Sequence, residues 1–194
     1  MAKDVLFEIG AEEIPAHYMP GILAQLKTLA ETKLDEHHLG YGSLRTLGTP
    51  RRIALLINDV EDSSADIHER HKGPSVKIAY NENGEPTKAA MGFARGKGID
   101  VNDLVVEDGY IYAETTTAGV AARDILTEIL PQLITGLSFP KSMHWGNLDE
   151  KFVRPLRWLV ALYDTDVLPI TFAGVRASNS SRGHRFLGKK EILI

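Results

Sequence analysis

The chain has 194 residues, 43% of them hydrophobic, with 22 Lys/Arg against 26 Asp/Glu and a formal net charge of −4. That length suits one large domain or two small ones with a real core, and no apolar run approaches the ~20 residues of a membrane span. The opening MAKDVLFEIG lacks a signal-peptide hydrophobic region, and the absence of cysteine excludes disulfides and thiolate metal sites.

Val5 to Gly10 reads as a short strand. Ala11 to Pro15 turns the chain. Met19, Ile22, Leu23, Leu26, Leu29, Ala30 and Leu34 then recur at helical spacing, which predicts an amphipathic helix over Ala16 to about Glu36, with Pro20 in its tolerant first turns. The adjacent acids Glu12 and Glu13 have two readings. One is a metal or general-base pair. The other is favourable charge at the positive end of the helix dipole, preferred because no histidine or third acid stands at ligand spacing.

Ser43 to Gly48 leads into Thr49-Pro50-Arg51-Arg52 and a strand over Ile53 to Ile57. Adjacent strand residues point to opposite faces, so at most one of Arg51 and Arg52 is expected to face a given ligand. Anion binding and solvated charge both remain open there. Asp59 to His71 has no clear period and reads as strand edge and loop, or as a connection, and a seam between two subdomains is expected near 59–73. His68 and His71, three apart, would share a metal only on a helix, and no further ligand is well spaced. Gly73-Pro74 reads as a turn, Val76 to Tyr80 as a strand, and Asn81 to Gly84 as a hairpin-like turn.

Thr87 caps a short helix with Ala90, Met91, Phe93 and Ala94 inward, stopped by Gly96 or Gly98. Leu104 to Val106, Asp108-Gly109 and Tyr110 to Ala113 read as a β-hairpin. A second amphipathic helix carries Ile125, Leu126, Ile129, Leu130, Leu133 and Ile134, where Pro131 implies a kink or an earlier end. Strand resumes from Trp158, and Leu168 to Val175 is the last clear apolar strand. Strands and helices mix without regular alternation. The fold expected is α+β, with mixed, mainly antiparallel strands and two longer amphipathic helices. The final Gly188 to Ile194 opens a new apolar segment, as a piece of a longer protein would.

Positive charge gathers late. Lys141 to Arg185 holds seven Lys/Arg against four Asp/Glu, together with both tryptophans. Arg154 and Arg157 stand inside an apolar run, where arginine is rare without an anionic partner. They would share a face if that run were helical. Ser181-Arg182-Gly183-His184-Arg185-Phe186 is a compact donor set suited to phosphate or carboxylate oxygens. A structural salt-bridge cluster is the equal alternative. A stand-alone small-molecule enzyme using His184 as acid or base is a third reading. No Walker loop, dinucleotide fingerprint, zinc motif or nucleophile–base–acid set is present in the sequence.

Five stretches carry a family resemblance. They are Leu6 to Pro15 (LFEIGAEEIP), Thr49 to Ala54 (TPRRIA), Lys141 to Gly146 (KSMHWG), Phe152 to Leu162 (FVRPLRWLVAL) and Ser181 to Leu187 (SRGHRFL). In this order they resemble the β subunit of bacterial heterotetrameric glycyl-tRNA synthetase, and they span nearly the whole chain. His144 departs from the arginine of the family pattern. The resemblance implies an N-terminal, non-catalytic part of a cytoplasmic aminoacyl-tRNA synthetase that joins glycine to tRNA(Gly) with ATP. Glycine, ATP and Mg would belong to the α subunit, leaving this region without a cofactor or metal of its own. Its implied partners are the α subunit, the rest of the β subunit and tRNA(Gly). Arg51, Arg52, Arg154, Arg157, Arg182, His184 and Arg185 are the candidate tRNA or anion contacts. The alternative is a scaffold that bridges domains or subunits without touching RNA.

Overall fold

The computed structural model describes residues 2–145 and 149–194, so Gly146 of the third stretch lies outside the described residues. The chain divides into two compact units, Met1–Ala65 with Val120–Ile194, and Asp66–Gly119. The first unit opens with β1 (Lys3–Ala11), α1 (Met19–Glu36), β2 (Ser43–Thr49) and β3 (Arg52–Val60). The second holds β4 (Ile67–Ser75), α2 (Val76–Ala79), α3 (Lys88–Lys97), β5 (Val105–Glu107) and β6 (Tyr110–Thr117). The first then resumes with α4 (Ala122–Gly136), β7 (Met143–His144), β8 (Lys151–Phe152), β9 (Leu156–Tyr163), β10 (Asp166–Val167), β11 (Thr171–Phe172), β12 (Val175–Ser178), β13 (Ser180–Ser181) and β14 (Ile192–Leu193). The architecture is α+β with mainly antiparallel pairing, as expected. No helix among the described residues is long and apolar enough to cross a membrane.

In the first unit the main sheet runs β11-β12-β9-β1-β3-β2, with β10 also on β9. Only the β12–β9 pairing is parallel within it. β1 is central, and Phe7 lies opposite both Leu55 and Ala161. Alternation therefore sorts Val5, Phe7, Ile9 and Ala11 onto one face with Ile53, Leu55, Ile57, Leu159, Ala161 and Tyr163. That face joins the buried stripes of α1 (Ile22, Leu26, Ala30, Leu34) and α4 in one core. The other face carries Leu6, Glu8 and Gly10 of β1, beside Arg52 of β3 and Trp158, Val160 and Leu162 of β9.

Pro131 neither ends α4 nor shortens it, because the helix runs on to Gly136. An interior proline costs about 3 kcal/mol. Six buried aliphatic side chains, Ile125, Leu126, Ile129, Leu130, Leu133 and Ile134, offset it at roughly 1.5–3 kcal/mol each. Pro20 sits at the start of α1, as the spacing predicts. Leu168 to Val175 is not one strand. Ala173 and Gly174 take φ of 48° and 73° and fold β11 back onto β12 as a tight hairpin. β2 was not legible, because its Leu44, Thr46 and Leu47 are only partly buried or exposed and alternate too weakly to signal a strand.

The second unit pairs β4-β6-β5 antiparallel over a small core of Ala79, Ala90, Ala94, Leu104, Ile111 and Ala113. Asp108 and Gly109, at φ 50° and 77°, close the expected β5–β6 hairpin. Thr87 accepts from Ala89 N–H at the start of α3, and Gly98 ends it in the left-handed conformation. Three expectations fail here. Met91 of α3 is 47% exposed rather than turned inward. Gly73-Pro74 belongs to β4, where the register shifts between Lys72 and Ser75. Val76–Ala79 is one helical turn rather than a strand: Thr87 Oγ1 donates to Ile78 O and Thr87 N to Ala79 O, fixing the turn from outside. His68 and His71 lie on β4, where residues three apart face opposite ways, so they do not converge on one ion.

The α4 stripe is expected to dominate stability. Leu126→Ala should lower the unfolding free energy by about 2–5 kcal/mol in a chemical denaturation series. A smaller loss would show that this position is not part of the packed core.

Candidate anion-binding site

The site is built on the second face of the main sheet, around Glu8. Glu8 stands in the middle of the central strand and the residue is only 5% exposed. A buried carboxylate needs donors and a counter-charge, and three elements supply them. Trp158 Nε1 on β9 and Ser181 Oγ on β13 both donate to Glu8 Oε1. Arg52 Nε, at the start of β3, lies 3.1 Å from Glu8 Oε2. An Arg52 amino group also donates to the Arg182 carbonyl. The sheet is thereby tied to the loop that follows β13.

Gly10 makes this arrangement possible. It pairs with both Trp158 and Arg52, and a Cβ built on it would come within 2.0 Å of the Trp158 ring. The indole therefore lies against the β1 backbone, where any side chain would displace it. Three guanidinium carbons surround that ring: Arg51 at 5.9 Å, Arg52 at 5.8 Å and Arg182 at 5.5 Å from its centroid. These are at the outer limit for a cation–π attraction. The expectation that only one of Arg51 and Arg52 can face a given ligand is overturned. Arg51 sits in the turn before β3, outside the pleat, so strand alternation does not separate the two.

Glu12 and Glu13 are neither a helix-dipole pair nor free acids. The first turn of α1 carries no acidic residue. Instead Glu12 lies 3.2 Å from Arg157 Nε, 3.7 Å from Arg185 Nη1 and 3.8 Å from Arg51 Nη2. Glu13 lies 3.3 Å from Arg185 Nη1 and 3.7 Å from Arg51 Nε. Their backbone is held separately. Glu12 N–H donates to Pro155 O, Ile14 N–H to Pro50 O, and Arg154 Nε to Glu13 O at 2.9 Å. A hydrogen bond to its own backbone outweighs the opposing effect of desolvation and, with the lesser help of the Arg185 and Arg51 charges, holds the Glu13 carboxyl below its ordinary value. Glu13 is therefore ionised at neutral pH. Whatever stability this shift adds is present above the ordinary value of 4.5 and fades as acid carries the pH down through the folded value.

The loop from Ser181 to Lys190 folds tightly back on itself. Gly183 N–H donates to Lys189 O and Gly188 N–H to His184 O. A Cβ on Gly183 would stand 2.5 Å from that Lys189 oxygen. His184 Nδ1 accepts from the Phe186 and Leu187 N–H groups, so the ring closes the turn through that nitrogen. Between this loop and Trp158 opens a cavity of about 600 Å³. Its charged lining is Arg51, Arg157, Arg176, Arg182, Arg185 and Lys190 against Glu12 and Glu191. A neighbouring cavity of about 440 Å³ shares Arg51, Trp158, Arg182, His184 and Arg185, and adds Arg52 and Phe186. Arg51 Nε is buried without a hydrogen-bond partner among the described residues, whereas Arg52 Nε, though not aligned for a hydrogen bond, is held by the Glu8 charge at 3.1 Å. A buried donor left unmatched costs about 1–3 kcal/mol, so an oxyanion entering here has the Arg51 donor waiting.

Six of the seven candidate residues thus come together: Arg51, Arg52, Arg157, Arg182, His184 and Arg185. Arg154 does not join them. Leu156–Tyr163 is a strand, so the shared helical face of Arg154 and Arg157 does not form, and Arg154 braces the Glu13 backbone. His144 lies apart, on β7 opposite Lys151. Sequence reading missed Glu8, Glu12 and Glu13 as counter-charges, and Arg176 and Lys190 as lining. The one available signal was Glu8 itself, an acid in the apolar run VLFEIG. Mg²⁺ fits the site poorly, because it needs several open carboxylates, and Glu8, Glu12 and Glu13 are engaged by arginines while Glu191 accepts from Ser180 Oγ.

A family model described as "Glycyl-tRNA synthetase beta subunit" matches residues 5–194. The "Glycine--tRNA ligase beta subunit" of Natranaerobius thermophilus is 43% identical over 198 residues, covering 100% of this chain and 29% of that protein. The protein of that name from Desulfitobacterium hafniense strain Y51 is 46% identical over 192 residues, covering 97% and 28%. The one from Halothermothrix orenii is 40% identical over 194 residues, covering 100% and 28%. The chain spans less than a third of the length of these relatives.

If Gly10 is there for the ring, Gly10→Ala should destabilise the protein by at least about 1–3 kcal/mol through overpacking. The same change made in a Trp158→Ala background should cost much less. A double-mutant cycle by thermal or chemical denaturation reads the coupling, and additive losses would break the link between the two positions.

Proposed function

Because the chain belongs to the glycyl-tRNA synthetase β-subunit family, we propose that it is the N-terminal part of the β subunit of a cytoplasmic, heterotetrameric glycine–tRNA ligase, supporting tRNA recognition and assembly with the α subunit. The enzyme joins glycine to tRNA(Gly) at the expense of ATP. On this reading the chemistry, with its ATP and Mg, belongs to the α subunit, and the present region is inactive alone. Its contribution is the guanidinium cleft around Trp158, which takes phosphate oxygens of tRNA(Gly).

The observation that carries the RNA contact is the cleft's lining of five arginines and one lysine against two glutamates, in a chain whose net charge is −4. Local positive charge in an acidic protein selects anions at one place rather than everywhere. Arginine's planar fork also suits phosphate. Arg182 is the best-placed contact. It is exposed, lies over Trp158, and has no ion-pair partner among the described residues.

A second reading rests on a different observation. Arg51, Arg157 and Arg185 already pair with Glu12 and Glu13 of their own chain. On that reading the cluster is a scaffold joining segments of the subunit, with no RNA contact.

The two readings part in the assembled full-length enzyme. Arg182→Ala should weaken binding across tRNA sequences and reduce the salt slope by about 1, with little change in melting temperature. Arg154→Ala should lower the melting temperature and leave the slope alone. Unchanged affinity and slope for Arg182→Ala would leave the scaffold reading standing. The present chain by itself is expected to give no glycine-dependent pyrophosphate exchange, and measurable exchange would overturn its assignment as non-catalytic.

A further inference from the structure

We propose that Glu12 and Glu13 are built-in counter-anions of the arginine cleft, and that RNA phosphates bind by taking Arg51, Arg157 and Arg185 from them. The acidic pair then sets both the affinity and the salt dependence of the site. This rests on the reading of the cleft as an RNA contact and adds to it what the phosphates must displace.

The geometry of the contacts carries the inference. Of the five close approaches, only Arg185 to Glu13 is also a hydrogen bond, at 3.3 Å, and the others range from 3.2 to 3.8 Å without that alignment. Each acid touches two or three guanidinium groups, and no arginine holds a carboxylate in the strong two-bond fork. Arg157 and Arg185 are 50% and 52% exposed in their side chains and Glu13 is 56% exposed. The Arg185–Glu13 pair, so placed, contributes little, whereas Glu12 and Arg51, 25% and 22% exposed, are less screened.

The backbone makes exchange possible without unfolding. Glu12 N–H, Ile14 N–H and Glu13 O are bonded to Pro155, Pro50 and Arg154, so the segment stays in place whether or not its carboxylates are engaged. The side chains can swing out while the strands remain paired. Arg51 Nε, buried and lacking a hydrogen bond, gains a partner when an oxyanion replaces the off-line carboxylate. Glu8 behaves differently. It is buried, accepts from Trp158 and Ser181, and holds Arg52, so it stays in place as the site fills.

Displaced carboxylates remain close to the bound phosphates and repel them. The wild-type protein should therefore show a shallower salt dependence than its arginine count suggests. The test uses the full-length β subunit assembled with α, and tRNA affinity measured from about 50 to 200 mM salt. Glu12→Gln/Glu13→Gln should bind at least about threefold more tightly at the low-salt end, with the slope steeper by up to about 2, at roughly 0.7–0.9 per charge. Adding Arg185→Gln should remove most of that gain. If Arg182→Ala weakens binding but the double glutamine variant keeps the wild-type slope, or binds more weakly, the inference is overturned and the RNA contact stands. If neither changes binding, both are overturned. Should the double variant fail to fold, Glu13→Gln alone carries the test, with about half the change in slope expected and no change overturning the proposal.

Discussion

A carboxylate placed in the centre of a buried strand constrains everything around it. Glu8 has almost no water to solvate it, and an isolated buried charge costs more than a fold of this size can absorb. It is matched by one guanidinium from β3, one indole N–H from β9 and one hydroxyl from β13. Those partners come from positions 52, 158 and 181, so the match depends on the order of the sheet. β1 must lie between β3 and β9, in the register that sets Gly10 opposite both Arg52 and Trp158. Gly10 must lack a side chain for the indole to reach Glu8 across the β1 backbone. The last loop is attached by the same carboxylate, through Ser181 directly and through Arg52 to the Arg182 carbonyl.

From that fixed end the cluster grades outward. Arg52 is partly buried and committed to Glu8. Arg51 is more buried still, at 22% side-chain exposure against 32%, but shares two acids at longer range. Arg157 and Arg185 are half exposed, and Arg182 lies over the ring without a carboxylate partner among the described residues. Solvent screening is greatest at Arg157 and Arg185, so the inner contacts define structure and, on the proposed reading, the outer ones are those that exchange. Loop position and charge are thus controlled by different residues. Removing an outer acid changes the field of the site, whereas removing Glu8 removes its foundation.

Much of the fold was legible in the sequence because local chemistry and tertiary need agreed. β1, α1, α3, the β5–β6 hairpin and the strand from Trp158 all carry periodicity, caps or turn residues that match their final state. The misses have physical causes. β2 is an edge strand with weak alternation, so its strand character comes from pairing with β3. Val76–Ala79 has strand-like residues but is closed into a turn by Thr87. Pro131 should interrupt a helix, and the buried stripe of α4 outweighs it. In the site, Arg157 stood out because arginine is rare in an apolar run, Arg51 and Arg52 because they open a strand, and Arg182 and Arg185 because they form a compact donor set around Gly183. Their partners did not, because Glu12 and Glu13 are 38 or more residues from every arginine they meet, and nothing local connects them. Arg154 was misplaced for a related reason: sequence gives its charge but not that its guanidinium is turned to a backbone carbonyl.

Five arginines within reach of one another repel, and a cleft of this kind exists only if something holds them together before any anion arrives. Glu12 and Glu13 do so at the surface, where water weakens both attraction and repulsion. Deeper in, the work falls to Trp158. Its N–H donates to a carboxylate, which draws positive charge toward the ring edge and leaves the faces more attractive to cations. Arg51, Arg52 and Arg182 gather around that ring at 5.5 to 5.9 Å, each too far for a strong contact by itself. Glu8 therefore acts on all three, on Arg52 by direct pairing and on the others through the indole. On the proposed reading, an anion entering the cleft would meet guanidinium groups already gathered, and little of its binding energy would be spent on ordering them.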